Sequence, residues 1–296
     1  MPPSILSLGE VLWDLFPEGP RFGGAPANFA CHAAALGAKV RVASAVGDDP
    51  RGRDALAILR DYGIDVSPIQ IISDAPTGAV TVHVDANGKP SYTIEEDAAW
   101  DRIAWTPELE SALTNADAVY FGTLGQRAPL SRQSILHALD IAKTLKVPRI
   151  LDVNLRPPFF NDERIRESIG RASVVKLSDE ELPQVATACG LSPANPPEAA
   201  LRALLDGHGL DLVVMTRGAE GALLVSPAET IDQPGIPTEV RDTVGAGDSF
   251  TAALVTGLLG GDALADIARG ACELAALVCS QSGAVPELTE SSQPTA

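Results

Sequence analysis

Short apolar runs that end in Gly, Asn or Ser alternate with segments of helical apolar spacing through most of this chain. Continuous apolar character over a short run marks a strand buried on both faces. The runs Ser4–Leu8, Lys39–Val46, Ala118–Gly122, Arg149–Val153, Ser173–Leu177 and Leu212–Thr216 fit that description. Between them, helical spacing predicts helices over Ala27–Ala35, Arg53–Tyr62, Ser131–Leu145 and Ala199–Asp206, with two more at Ser249–Leu259 and Ala263–Ser280. The alternation predicts an α/β fold: a doubly wound, mostly parallel sheet flanked by helices. Ligands of such sheets sit at the C-terminal ends of the strands, where Asp152, Asn154, Arg156, Lys176, Ser178 and Thr216 fall.

Two segments depart from this pattern. Gly78–Asp85 and Pro90–Glu95 alternate apolar and polar residues around Asn87-Gly88, a hairpin signal, and Leu12–Phe16 before the turn Pro17–Gly19 reads as a companion strand. The expected organisation is a core of residues 1–10, 23–76 and 106–296, with a small β-sheet lid inserted from residues 11–22 and 77–105. A hairpin without a role is the other reading of that insertion. The Ser/Thr/Pro-rich tail Pro286–Ala296 reads as loosely ordered.

Composition narrows the partners. The 296 residues are 45% hydrophobic, enough for a large core, and 22 basic against 39 acidic residues give a net charge of −17. That charge argues against nucleic acid and against anionic membrane surfaces. An anionic substrate must then be met by local basic residues or by backbone donors. Cys31, Cys189, Cys272 and Cys279 show neither C-x-x-C pairing nor zinc-ligand spacing, and read as buried thiols. The first residues lack a signal-peptide pattern and no apolar run reaches membrane-spanning length, so a soluble, cytoplasmic protein is expected.

The chemistry concentrates in Asp242-Thr243-Val244-Gly245-Ala246-Gly247-Asp248-Ser249-Phe250. Gly245, Ala246 and Gly247 let successive backbone N–H groups turn toward one point, and the apolar run that follows reads as a helix. Backbone donors at the positive end of a helix dipole attract an anion. Asp248 in their midst repels that anion, which makes sense where a carboxylate must take a proton from a hydroxyl that attacks a phosphate. A glycine C-cap followed by an aspartate N-cap is the structural alternative. Near the N-terminus, Gly23-Gly24-Ala25-Pro26-Ala27-Asn28 opens a small-residue helix, and Asn28 and Asp14 offer the donor and acceptor groups that hydroxyls need. The chain has no P-loop motif, no H-E-x-x-H and no G-x-S-x-G.

Taken together, these segments resemble the ribokinase-like (PfkB-type) carbohydrate kinases over almost the whole chain. Gly9-Glu10 with Asp14, the Gly-Gly-Ala-Pro-Ala-Asn segment, Asp152-x-Asn154-x-Arg156, Lys176-x-Ser178-x-x-Glu181, Thr216-x-Gly218-x-x-Gly221 and Asp-Thr-x-Gly-Ala-Gly-Asp arrive in family order. The glycine-pair segment is most similar to fructokinases. The resemblance implies phosphoryl transfer from ATP, with Mg²⁺ on its phosphates, to a hydroxyl of a small sugar such as fructose. It implies Asp248 as base and the N–H groups of Gly245, Ala246 and Gly247 as anion hole. Asp14, Gly24 and Asn28 would hold the sugar. Thr216, Gly218 and Gly221 would line the nucleotide site, with Lys176 at the strand edge near the phosphates. Glu181 would hold a water on Mg²⁺, although Ser178 stands where the family carries asparagine. Asp242 and the backbone near Val244 match a monovalent cation (K⁺) site, with Ser280–Gly283 as its second loop. Cys272 falls near the expected adenine position. Lid sheets of the family pair two chains, so a homodimer is expected.

Several residues keep two readings. Arg156 clamps a phosphate or sugar acid, or pairs on the surface with Asp162 or Glu163; Arg21 shares that ambiguity. Asp152 reads as a structural cap for backbone donors. His32, His137 and His208 belong to no motif, and His83 on the lid either does likewise or faces the sugar. Ribose, 2-keto-3-deoxygluconate or a nucleoside are rival substrates, a nucleoside wanting an aromatic wall from Trp13, Phe16, Tyr92, Trp100 or Trp105. A sugar-binding sensor without turnover is the rival from another class.

Overall fold

The computed structural model describes residues 1–84 and 90–285, with residues 82–84 and 90–92 described by their backbone alone. The strands in chain order are β1 (Ser4–Leu8), β2 (Leu12–Phe16), β3 (Gly19–Gly23), β4 (Lys39–Ala43), β5 (Ala45–Gly47), β6 (Gln70–Ile72), β7 (Gly78–Val84), β8 (Pro90–Ile94), β9 (Ala118–Gly122), β10 (Arg149–Asp152), β11 (Val174–Ser178), β12 (Leu212–Thr216), β13 (Ala222–Val225) and β14 (Thr230–Gln233). The helices are α1 (Ala25–Ala35), α2 (Pro50–Asp61), α3 (Pro107–Thr114), α4 (Pro129–Thr144), α5 (Asp162–Arg171), α6 (Leu182–Ala188), α7 (Pro197–His208), α8 (Ala246–Gly260) and α9 (Leu264–Cys279).

The main sheet runs β14-β13-β12-β11-β10-β9-β1-β4, parallel from β12 to β4, with β13 and β14 antiparallel at one edge. Alternate residues of each central strand enter opposite cores, as the pleat requires. Leu6, Leu8, Val119, Phe121, Val213 and Met215 meet α3 to α7 on one face. Ile5, Tyr120, Leu212 and Val214 meet α1, α2, α8 and α9 on the other. The sheet is therefore covered on both sides, and the expected α/β fold is the observed one. The chain leaves β1 for β4 on one side and later returns to β9 on the other. This puts the reversal of strand order, where doubly wound sheets bind ligands, between β1 and β9.

A second sheet, β3-β2-β7-β8, starts four residues after β1 and so springs from the C-terminal end of a core strand. β2 pairs with β3 antiparallel and with β7 in parallel. Gly78 is fixed by close approach, because a Cβ there would lie 2.4 Å from Trp100 Nε1. The expected hairpin tip Asn87-Gly88 and the tail Pro286–Ala296 lie outside the described residues.

Some boundaries differ from the sequence reading. Lys39–Val46 is not one strand: the chain breaks at Ser44, whose carbonyl accepts from Gln70 N–H at 3.0 Å, and β5 then pairs with β6 in a separate ribbon. Helix α8 begins at Ala246 rather than Ser249. Seven elements are absent from the sequence reading: β14 and α5 are dominated by polar residues, β3 carries Gly and Pro, and β6, β13, α3 and α6 are too short to show a period. The four cysteines are free, Cys31 and Cys272 buried and the other two half-buried. Among the described residues no helix is long and apolar enough to cross a membrane.

Candidate active site

The N-terminus of α8 is held from behind by backbone. Gly245, its N-cap, has φ +82°, and a Cβ there would lie 2.2 Å from the carbonyl oxygen of Ala284. Only glycine fits both constraints. The Ala284 carbonyl is itself hydrogen-bonded to His32 Nε2 at 2.9 Å, which gives this buried histidine a structural task. Asp242 ties the same two loops together: Oδ1 accepts from Val244 N–H and Oδ2 from Gly283 N–H, each at 3.1 Å. The Gly-Ala-Gly segment is therefore an N-cap and first helical turn, not a separate turn before the helix. Ala246 N–H is directed at Thr243 O at 3.3 Å, so the donors open to an anion are those of its neighbours in the first turn.

Asp248 lies in that turn. Its Oδ2 accepts from Asn28 Nδ2 on α1 at 2.9 Å. Burial pushes the Asp248 carboxyl up, while the Asn28 bond and the charges of Lys176 and Arg156 pull it back. Asn28 Oδ1 is buried and has no hydrogen-bond partner among the described residues. Gly24, the N-cap of α1, has φ +103°, and a Cβ there would meet the Glu10 carbonyl oxygen at 2.6 Å. Asp14 packs on Gly23, where a Cβ would come within 2.6 Å of its Oδ2. Burial, with a contribution from Asp248, pushes Asp14 up to about 6 against the charges of Arg156 and Arg21. Asp14, Gly24, Asn28 and Asp248 thus gather where α1 and α8 pack together above the end of β1.

Beneath them is a buried ion pair. Lys176 Nζ lies 3.1 and 3.2 Å from the two oxygens of Asp152, and Thr251 Oγ1 donates to Asp152 Oδ2 at 3.1 Å. Asp152 therefore does not cap backbone donors, as the sequence reading held; its partners are side chains. Burial raises Asp152 to about 6, with Lys176 opposing. Burial works against the Lys176 ammonium, yet Asp152, Glu181 and Asp248 together hold its pKa above the usual value. Lys176 lies near the C-terminal end of β11, an interior strand, and a Cβ on Gly247 would lie 3.0 Å from its Nζ. It sits under the first turn of α8.

The remaining predicted residues fall as follows. Arg156 is exposed, donates to Leu155 O at 3.1 Å and makes no ion pair with Asp162 or Glu163. Its charge acts on Glu10, Asp14 and Asp248, so it overlooks the same cleft. Glu181 and Ser178 form a reciprocal box: Ser178 N–H donates to Glu181 Oε2 at 2.8 Å, and Glu181 N–H to Ser178 Oγ at 3.2 Å. Glu181 Oε1 also accepts from Leu155 N–H at 2.6 Å. Serine in place of asparagine is thereby explained by local structure. Thr216, Gly218 and Gly221 form the tight connection from β12 to β13, with φ of +54° at Gly218 and +89° at Gly221. Among the described residues no group of three or more His, Cys, Asp or Glu is arranged to hold a metal ion.

Three contributors escaped the sequence reading. Thr251, four residues after Gly247 on α8, also lies with its Oγ1 2.8 Å from the Gly247 carbonyl, so its one hydroxyl proton is shared between helix turn and ion pair. Tyr120 stacks on Phe29 at 4.0 Å between centroids and keeps a buried hydroxyl with no hydrogen-bond partner among the described residues. Glu10 is buried, its Oε2 has no hydrogen-bond partner among the described residues, and desolvation raises it to about 7 despite Arg156 and Arg127. The only signal for Glu10 was its place in the opening Gly9-Glu10.

The sequence signature of the pfkB family carbohydrate kinase matches residues 19–290. A fructokinase of Rhizobium leguminosarum bv. trifolii is 31% identical over 268 residues, covering 86% of this chain and 79% of that protein. An aminoimidazole riboside kinase of Salmonella typhimurium is 30% identical over 258 residues, covering 84% and 78%. A fructokinase from Vibrio cholerae, solved in a fructose, ADP and calcium ion bound form, shares the fold with a TM-score of 0.80 at 26% identity, covering 96% of this chain and 94% of that one.

Proposed function

Because this chain belongs to the pfkB family of carbohydrate kinases, phosphotransferases with an alcohol group as acceptor, we propose that it transfers the γ-phosphoryl group of ATP to a hydroxyl of fructose. The observation that carries this reading is the Asn28–Asp248 bond inside the first turn of α8. A base and a set of anion-attracting N–H groups share one turn, and phosphoryl transfer needs alignment and charge stabilisation more than covalent chemistry.

In this mechanism Asp14, Gly24 and Asn28 hold the sugar, and Asp248 takes the proton of the attacking hydroxyl. The N–H groups at Gly245 and Gly247 receive the phosphoryl oxygens as charge builds on them. Arg156, exposed above the cleft, closes on the phosphates from the solvent side. Thr216, Gly218 and Gly221 line the nucleotide. Lys176 keeps the floor of the site positive while its pairing with Asp152 keeps it in place. Each Glu181 oxygen accepts one N–H and keeps a lone pair, which suits an outer-sphere contact through water to Mg²⁺. That ion would neutralise phosphate charge when bound.

Fructose is preferred over a nucleoside because the described aromatic residues are already engaged. Trp100 is fully buried under Arg127, Trp105 packs on His137, Trp13 donates to Arg51 O and Phe16 lies under Arg21. Tyr92 and His83 have side chains outside those described. On this reading the second sheet is a lid over the strand ends, made of residues 11–22 and 77–105, and it pairs two chains in a homodimer. A reaction that consumes ATP also fits a cytoplasmic protein.

The test is ADP release from ATP and Mg²⁺ with fructose, ribose, 2-keto-3-deoxygluconate and aminoimidazole riboside. Fructose-dependent turnover supports the reading. Faster turnover with another compound replaces the substrate and keeps the mechanism, and sugar binding without turnover by any of them would favour the sensor.

A further inference from the structure

The family resemblance places a monovalent cation at Asp242 and Val244, and a side-chain cation of the chain itself already stands beside that carboxylate. A cation needs oxygens turned toward it. Here Asp242 is surrounded by donors: Val244 N–H on Oδ1, Gly283 N–H on Oδ2, and Arg21 Nη1 at 3.4 Å from Oδ2. Arg21 comes from β3, directly across from Asp14 on β2. Its guanidinium carbon lies 4.4 Å from the centroid of the Phe16 ring, a cation–π contact that holds the side chain over the loop. The cavity left between Asp14, Phe16, Arg21, Phe22, Asp242 and Val244 is about 10 Å³, at the lower limit for a single water.

We infer that Arg21 supplies, from within the chain, the positive charge that a monovalent cation would supply beside Asp242, so that turnover does not depend on K⁺. Asp242 joins the segment leading into Gly245 to the segment ending at Ala284, and Ala284 is the wall against which Gly245 is set. A cation on Asp242 therefore acts on the geometry of the α8 N-terminus without touching substrate, which makes Arg21 a positioning residue. Because Arg21 belongs to the second sheet, its charge is delivered by the same element that carries Asp14. The activity part of this inference rests on the kinase reading; the binding part does not.

The experiment compares wild type, Arg21→Gln and Arg21→Lys in tetramethylammonium chloride and in potassium chloride at equal ionic strength. It reads both melting temperature and sugar-dependent kcat/KM. Wild type should melt and turn over alike in the two salts. Arg21→Gln should lose roughly five- to tenfold in kcat/KM in the potassium-free buffer, as a lost coupling of ordinary size would give. It should regain this activity with K⁺, and K⁺ should raise its melting temperature. Arg21→Lys should stay active without K⁺. Wild type that is stimulated or stabilised by K⁺ specifically would overturn the inference. So would an Arg21→Gln protein indifferent to the salt, or an Arg21→Lys protein as impaired as Arg21→Gln. If wild type shows no sugar turnover in either salt, the kinase reading fails instead, and the melting comparison still decides whether Arg21 stands in for the ion.

Discussion

Asn28 and Asp248 lie 220 positions apart and meet through a 2.9 Å hydrogen bond in which the amide donates and the carboxylate accepts. The bond fixes the carboxylate and favours its ionised form against the burial that raises its pKa. Removing it in Asn28→Ala leaves burial less opposed, so Asp248 is protonated at higher pH. The acid limb of the kcat/KM–pH profile should move up by about one unit, the size expected for loss of a hydrogen bond to a charged group. A profile measured for wild type and variant checks this, and an unmoved limb would speak against the pairing.

Glu10 makes a separate prediction about stability. Its pKa is about 7 in the folded chain against 4.5 unperturbed, so the native state binds more protons than the unfolded state between those values. Its contribution is most favourable below pH 4.5 and is lost as pH rises through 7. The loss amounts to on the order of 3 kcal/mol at pH 8, taking about 1.4 kcal/mol per unit. Glu10→Gln keeps the shape without the charge. It should match wild type in urea unfolding at low pH and exceed it at pH 8. An equal difference at both ends of the range would show that ionisation is not the cause.

The two glycine substitutions Gly245→Ala and Gly218→Ala separate strain from collision. Both positions have positive φ, but a Cβ at Gly218 meets nothing within 4 Å, whereas at Gly245 it strikes the Ala284 carbonyl at 2.2 Å. Gly218→Ala should cost about 1–2 kcal/mol, the left-handed penalty alone. Gly245→Ala should cost more and abolish turnover, because the loop behind α8 must move. Thermal unfolding with activity assays distinguishes the pair, and equal costs would contradict the packing described here.

The strands β1, β9 and β12 were legible to the residue because burial on both faces leaves a mostly apolar run, interrupted in β1 only by Ser7. Helix α5 was not: its sequence is dominated by charge, and only Ile165, Ser168 and Ile169 are buried. β14 is a half-buried edge strand with one Ile among polar residues, and β3 contains Gly and Pro that read as a turn. At the site, Asp248 and Asn28 stood out because their neighbours are glycines and small residues that form a recognisable local pattern. What the pattern could not give was partnership across the chain. Lys176 with Asp152, Asp152 with Thr251, Asp242 with Arg21, and His32 with Ala284 are long-range pairs set by tertiary structure: β10–β11 pairing for the first, packing of α1 and α8 on the sheet for Thr251 and His32, and the second sheet for Arg21. A charge on a strand end looks the same in sequence whether it faces a ligand or another charge.

Everything proposed for this site turns on Asp248 taking the proton of the attacking hydroxyl. The most direct measurement is ADP release with fructose for wild type and Asp248→Asn, with fructose binding and the melting temperature followed in parallel. The expected result is a fall in kcat of about 10²- to 10⁴-fold, the usual contribution of a positioned base, with the fold intact and the sugar still bound. Turnover by Asp248→Asn within a few fold of wild type would contradict it.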